Sequence, residues 1–500
     1  IDPHPVSQGG LAMLDFDTMR LKLKKELPIL LLLLFAAAMM LSGLGRFAFK
    51  DYDEATYALV AAEMAESGDY LYLTHGGRPW LDKPPLLFWL IGAITALFGF
   101  GEFALRLPGA LLGIATVVVT YAFTFALSHN RRTALISAAI LLTTSQFVYT
   151  ARELRFDVPV GLGILLAVYC FVRGWQKPVW YLGMGAGLAA AILFKSVVSV
   201  FIPLLIIVFS VVYREWKWVR QPLFWASAFS GVAVAAMWYM LQYRVYGELF
   251  INTHLGRHGF ARYTDPFLGT RNTNISYFFV LGARLLQPWL TVFAVAAVSF
   301  VLRARTMAVS TLRRPILATF LSVVAIVGVF SFSQSKLFYY FDPIYPFLAV
   351  FLGLSIMFWW EHLNTTRRVA YGACIGLFFL VALTNTIWQA AEVKGSPRGF
   401  EYALAEDERT ISRILIRQTA SSKLYTLRHD PWDTIRFYTR ERAEPLFIGT
   451  LTPTVDDDAF YLLIPTAVLS SIELNPVLAE RLEPSFRGKR LTLFIVRALQ

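Results

Sequence analysis

Charge is scarce in this chain. Asp, Glu, Lys and Arg make up only 16% of the 500 residues, against 56% hydrophobic residues and a mean hydropathy of +0.54. That balance excludes an ordinary soluble domain. Cysteine is nearly missing: Cys170 and Cys374 are the two present, each inside an apolar run, so neither a disulfide framework nor a cysteine zinc site is expected. Neither a P-loop nor a dinucleotide-type glycine fingerprint occurs, so no nucleotide is expected. The formal net charge is +12, but no Lys/Arg cluster is interleaved with aromatics. Nucleic acid is therefore not expected as a partner, and the basic excess fits cytoplasmic loops facing anionic lipid. Internal repeats and low-complexity linkers are also missing.

What is abundant is apolar and aromatic. Aromatics reach 15%, as suits wide membrane–water interfaces. Runs of spanning length lie near 27–44, 107–127, 134–150, 157–173, 180–195, 197–213, 222–243, 288–303, 315–332, 343–360 and 369–388, about eleven in all. The run Pro85–Phe100 is shorter and begins with two prolines. Basic residues collect at the N-terminus and in Ser128–Thr133, Arg173–Lys177, Arg214–Arg220, Arg303–Arg314 and Arg367–Arg368. The positive-inside rule places all of these in the cytoplasm, which works only if Pro85–Phe100 does not cross. A large loop, 45–106, then stays outside, with 149–156, the turn near Lys195, 244–287, 332–340 and everything after about Trp388. Residues 1–18 read as an expression scar before Met19, and 19–388 as the membrane domain, its first span uncleaved. In 389–500 charge rises; a helical pattern at 401–418 and strand-like runs at 423–427, 445–448, 459–464 and 491–496 predict a small external α/β domain.

The outer segments gather unusual polar residues. A helix is expected from Asp53 to about Ser67, stopped by Gly68. Asp51 and Glu54 have capping-box spacing, which would leave Asp53 uncommitted. Lys83 lies between Asp82 and Pro84-Pro85, whose fixed backbone would aim it; a snorkelling lysine is the plainer account. Asp157 follows Arg152, Glu153 and Arg155 at the start of a span. Lys195 sits in a turn between two apolar runs. His254, Arg257, His258 and Arg262 share one loop, and Lys336, Tyr339, Tyr340 and Asp342 share another. Ionisable groups at span ends are costly unless paired or functional. Several cations with a few carboxylates at one membrane face suit the holding of a lipid-linked phosphate. His254 and His258, with Asp82, are also conceivable ligands of a divalent metal.

In order, these residues resemble the bacterial lipid A aminoarabinose transferases and, more broadly, the GT-C integral-membrane glycosyltransferases, with protein mannosyltransferases as distant members. The resemblance rests on Asp53-Glu54-Ala55-Thr56-Tyr57, then Asp82-Lys83-Pro84-Pro85, Asp157, Lys195, the His254–Arg262 loop, and Lys336-Leu337-Phe338-Tyr339-Tyr340-Phe341-Asp342-Pro343. It covers roughly residues 45–345. The chain departs from that family at Ala55-Thr56, where Gly-Arg is usual, so Arg78 or Arg155 would have to supply a phosphate-binding arginine.

The resemblance implies an all-α polytopic membrane protein of GT-C fold. It implies transfer of a sugar from undecaprenyl phosphate to lipid A or another lipid or glycan acceptor, at the periplasmic face of the bacterial inner membrane. Asp53 would orient or deprotonate the acceptor. Lys83, Tyr340, Lys195 and Lys336 would hold the donor phosphate. Glu54, Tyr57, Asp82, Arg155, Asp157, His258 and Arg262 would complete the site, with no cofactor required. Two other classes stay open: a polyprenyl-lipid transporter, which predicts inverted repeats and broken midplane helices, and a scaffold presenting its tail domain.

Overall fold

The computed structural model describes residues 16–497 apart from 51–52, 262–275, 278–279, 281, 283–285, 303–309, 335, 391–398, 418–423, 428–431, 440–444, 449–459 and 472–479. Helix α1 (Phe16–Leu41) leads to a segment with α2 (Asp53–Ser67), the hairpin β1 (Thr74–His75) and β2 (Arg78–Pro79), and α3 (Leu86–Phe98). Then come α4 (Glu102–Ser128), α5 (Arg131–Leu142), α6 (Ser145–Ala151), α7 (Asp157–Gly174), α8 (Trp180–Lys195), α9 (Phe201–Tyr213) and α10 (Pro222–Tyr246). A π-helical stretch, Ile251–Phe260, precedes α11 (Trp289–Leu302) and α12 (Arg313–Phe332). A 3-10 segment, Phe338–Ile344, runs into α13 (Tyr345–His362), and α14 (Thr365–Ala390) follows.

By length and composition, seven helices can cross a membrane, or eight if the bent pair α5–α6 is one span; Glu26–Leu41, Leu86–Phe98 and Trp289–Leu302 are shorter apolar helices. The described residues do not confirm the expected count of about eleven spans. One expected span, 134–150, is broken: α5 and α6 meet at 69°. In contrast, Trp180–Tyr213, long enough to pass as one helix, divides at Lys195. Lys195 meets Asp157 at the start of α7, and Tyr213 packs on Trp175 just past its end, ring centroids 5.0 Å apart. So α8 and α9 run antiparallel, with Lys195 in the turn, as the sequence suggests.

Helix α7 and the segment Phe338–His362 form the centre. All of the latter's apolar window is buried and 78% of that of α7, against 11% for α14, which faces outward. Lipid gives apolar helices little reason to associate, so close fit must supply it. Between α7 and α8 it comes from small residues: a Cβ on Gly187 would stand 2.8 Å from the Ala167 amide nitrogen and 2.9 Å from the Gly163 carbonyl oxygen. Gly161 likewise lets the 3-10 segment approach, a Cβ there lying 3.4 Å from Pro343 Cα. These contacts bring the turn after α8 and the Tyr339–Tyr340 pair to the N-terminal end of α7.

The tail contains α15 (Gly399–Arg417), β3 (Leu424–Leu427), α16 (Trp432–Thr439), β4 (Pro445–Ile448), β5 (Phe460–Pro465), β6 (Leu482–Arg487) and β7 (Leu491–Val496). The sheet order is β4-β3-β5-β7-β6, with β3 parallel to both neighbours and β7 antiparallel to both of its own. Every strand-like run of the sequence is a strand here; α16 and β6 are additional. Ile411 and Leu415 of α15 pack with Leu424, Leu463 and Leu493 in a separate small core.

Candidate active site

The acidic pair at the start of α2 divides its work. Glu54 is buried and takes Arg106 on both oxygens, Nε–Oε1 and Nη2–Oε2 each 2.9 Å. It also accepts from the Leu154 amide at 3.0 Å and from the Lys50 amide, four residues back, at 3.3 Å; Asp51, the cap that the spacing pointed to, lies outside the described residues. Glu54 thus ties α2 to α4 and to the loop before α7. Asp53 is not uncommitted, as the spacing suggested: Arg155 Nη1 lies 3.0 Å from its Oδ2, and Tyr57 donates its hydroxyl at 3.4 Å. The Tyr57 ring packs edge-on against Trp80, Phe88 and Phe156.

Arg155 is the junction. Its Nε is 2.7 Å from Glu153 Oε2, and its guanidinium lies over the rings of Phe338 and Tyr339, 5.4 and 4.9 Å from their centroids. Burial works against its charge, but Glu153, Asp53 and Asp157 outweigh it and hold the group well above an ordinary arginine. Glu153 also pairs with Lys50, itself hydrogen-bonded to Tyr149. Burial pushes the Glu153 carboxyl up, and the Lys50 and Arg155 charges more than reverse that, to about 2. From Tyr339 the chain of contacts continues. The Lys195 ammonium lies 5.2 Å from the Tyr339 ring and 5.8 Å from the Tyr340 ring, and pairs with Asp157 at 2.5 Å.

Beside this network opens a cleft of about 770 Å³, counting the space at its mouth. Asp82, Lys83, Lys195, Ser196, His254, Ser333 and Tyr340 bring polar groups to it; Val198, Val200, Phe201, Val329 and Phe330 supply apolar wall. The Tyr340 ring is stacked on Phe330 at 4.9 Å. Lys83 and Tyr340 therefore share one cavity, and Asp53 reaches it through Arg155 and Tyr339.

Other expected residues stand elsewhere. Lys336 is buried and donates to the Ser333 carbonyl; it is not among the lining residues. His254 does line the cleft, but its Nδ1 is 2.8 Å from the Leu81 carbonyl and its Nε2 2.9 Å from Ser196 Oγ, so both ring nitrogens are engaged. The His258 side chain and Arg262 lie outside the described residues. Among the described residues no group of three His, Cys, Asp or Glu could hold a metal. Of the two proposed arginines, Arg155 stands beside Asp53, whereas Arg78 is exposed on the hairpin. Sequence reasoning missed Arg106, signalled by a lone charge in the run Phe103–Pro108. It also undervalued Asp342, buried with Oδ1 3.5 Å from Thr150 Oγ1 and, among the described residues, with no hydrogen-bond partner at Oδ2.

Solved structures share this arrangement of helices and tail. ArnT from Cupriavidus metallidurans, crystallised with undecaprenyl phosphate, superposes with a TM-score of 0.68 over 94% of this chain and 99% of its own, at 19% identity. The fold is that of the GT-C integral-membrane glycosyltransferases. Residues 82–240 match the family described as dolichyl-phosphate-mannose-protein mannosyltransferase. An Aquifex aeolicus protein of unassigned activity is 28% identical over 43% of this chain and 44% of its own length. The undecaprenyl phosphate-alpha-4-amino-4-deoxy-L-arabinose arabinosyl transferase 2 of Sodalis glossinidius is 26% identical over 33% of this chain and 31% of its own. The chain thus matches less than half the length of either.

Proposed function

We propose that this GT-C protein is an inverting glycosyltransferase that takes a sugar from a polyprenyl phosphate and gives it to a lipid acceptor such as lipid A, on the periplasmic side of the bacterial inner membrane. The observation that carries this reading is the single cleft holding Lys83, Lys195 and Tyr340 against an apolar wall, one contact away from Asp53. The cations suit a phosphate; the apolar wall suits an isoprenoid. Orientation follows from the basic loops, which leave the cleft on the outer face.

In the transfer, an acceptor oxygen attacks the anomeric carbon while the bond to the phosphate oxygen breaks, and polyprenyl phosphate leaves with the electron pair. Lys83 and Tyr340, with Lys195 exchanging Asp157 for the phosphate, stabilise the leaving charge. A hydroxyl acceptor gives its proton to Asp53; an already ionised phosphate acceptor needs only positioning by it. The sugar–phosphate linkage supplies the driving force, so no cofactor is called for. A protein or glycan acceptor is the second reading, favoured by the mannosyltransferase match at residues 82–240.

The test is a reconstituted assay against a panel of polyprenyl-phosphate sugars, with envelope glycolipids read by mass spectrometry. With a hydroxyl acceptor, Asp53→Asn should cost roughly 10²–10⁴-fold in turnover. Undiminished turnover by a folded Asp53→Asn protein removes Asp53 from the chemistry. A wild-type protein inert on every such donor ends the proposal.

A further inference from the structure

Another cavity, about 650 Å³ with its mouth, includes Arg152 in its lining and none of the residues assigned to the transfer reaction. Met39, Ser42 and Gly43 at the end of α1, Arg46, Phe47, Arg152 and Ile387 of α14 line it. Among the described residues of that lining, the two charged ones are arginines. The nearest acid in sequence, Glu153, is turned to Lys50 and Arg155. Arg152 is held in place, donating Nη1 to the Met39 carbonyl at 2.6 Å and Nη2 to the Ser42 carbonyl at 2.8 Å. The exposed Arg46 guanidinium rests over the Phe47 ring at 5.2 Å.

Arginine on the outer side of a membrane protein runs against the usual bias, and here two converge on one hollow. The rest of the lining says what kind of anion fits. Met39 and Ile387 belong to helices at the bilayer; Ile387 is 47% exposed, and α14 is the least buried of the long apolar helices. A guanidinium pair above an apolar rim matches a phosphate carried on acyl chains. We propose that this cavity binds the phosphate headgroup of an anionic lipid from the outer leaflet, separately from the cleft of Lys83 and Tyr340. The inference rests on the sidedness proposed above and not on the transfer reaction.

The experiment uses the purified full chain in mixed phosphatidylcholine–phosphatidylglycerol nanodiscs, released into native mass spectrometry. The wild type should retain phosphatidylglycerol in preference to phosphatidylcholine. Arg46→Glu should cut that preference by roughly fivefold or more, the effect of one surface charge on an anionic lipid, and Arg46→Lys should restore most of it. Arg46 is exposed and is tested in place of Arg152, which also fastens α1. Transfer activity plays no part in the readout, so an inactive protein that still selects phosphatidylglycerol would leave this site standing. Equal retention of the two lipids, or a preference indifferent to Arg46→Glu, overturns it. Displacement of the lipid by inorganic phosphate or by glycerophosphoglycerol at the lipid's own concentration would also overturn it, since acyl chains would then add nothing.

Discussion

Asp53 and Glu54 are neighbours with opposite duties, and the difference comes from direction. The Glu54 side chain enters the protein, where Arg106 and two backbone amides use its oxygens; Asp53 turns toward Arg155 and remains a third exposed. Breaking a buried ion pair from one side leaves the other charge uncompensated, at a cost of roughly 3–5 kcal/mol. Glu54→Ala should therefore lower the thermal midpoint sharply and reduce yield, whereas Asp53→Asn should leave the midpoint almost unchanged and act on turnover. A Glu54→Ala protein as stable as the wild type would remove Glu54 from its structural place. The sequence exposed both acids, but the capping spacing pointed from Glu54 to Asp51, which lies outside the described residues, and not to Arg106. It could not show Arg155 beside Asp53, because that pair spans about a hundred residues and depends on how α7 packs. Lys336 illustrates the reverse: its position in the run Lys336–Pro343 suggested phosphate, but its amine donates to the Ser333 carbonyl.

Hydropathy revealed the helices well and their breaks poorly. The expected span 134–150 looks continuous because no charged residue interrupts it, yet it bends after Thr143. There the Thr143 and Thr144 hydroxyls bond back to the carbonyls of Ala139 and Ile140. The Thr143 carbonyl is taken by Trp289 Nε1 at 3.2 Å and Thr386 Oγ1 at 3.0 Å. Those donors come from α11 and α14, so the stability of the break is a tertiary matter; the Thr-Thr-Ser run was its one local sign. The pairing of α7 with α8 is set just as remotely, by glycine. Gly187→Ala would press a Cβ onto the Ala167 nitrogen and the Gly163 oxygen, backbone atoms that cannot rotate away. The expected cost is about 1–3 kcal/mol from overpacking, with Gly187→Leu worse. Because α7 carries Asp157 and α8 carries Lys195, the substitution should also reduce donor affinity. Unchanged thermal midpoint and unchanged donor KM in Gly187→Leu would show that the two helices separate freely.

The tail domain does more than hang from α14. Its strands were readable from alternation, but its docking was not, since the contacts join residues some 300 to 400 positions apart. Tyr438 donates to Glu102 at 2.8 Å and accepts from the Phe49 amide at 3.0 Å; Arg409 Nη1 lies 3.0 Å from the same Glu102. Asp433 bridges two elements, bonding Thr56 of α2 through one oxygen and His75 Nε2 of β1 through the other at 3.1 Å. Thr56 is three residues from Asp53, so the tail grips the helix that carries the proposed catalytic carboxylate. Glu63 and Arg436 also act on His75; burial lowers its basicity, but Asp433, helped by Glu63, raises it above the ordinary 6.5. Asp433 is opposed by burial and lowered by His75 and Thr56. The sign follows from linkage. The His75 contribution is complete below about 6.5 and fades as pH rises through its higher folded value. The Asp433 contribution is complete above its ordinary 3.8 and fades only as pH falls through its lower folded value. Glu408 of α15, pushed up to about 8 by burial and Asp407, also weakens the fold as pH rises, so the wild type alone cannot isolate the bridge. The difference between wild type and Asp433→Asn can. Their thermal midpoints should stand furthest apart near pH 5–6 and converge toward pH 9, with His75→Gln abolishing the convergence. A gap that stays constant across that range would mean that the His75–Asp433 contact carries no charge, and that the tail is held to α2 by its other bonds alone.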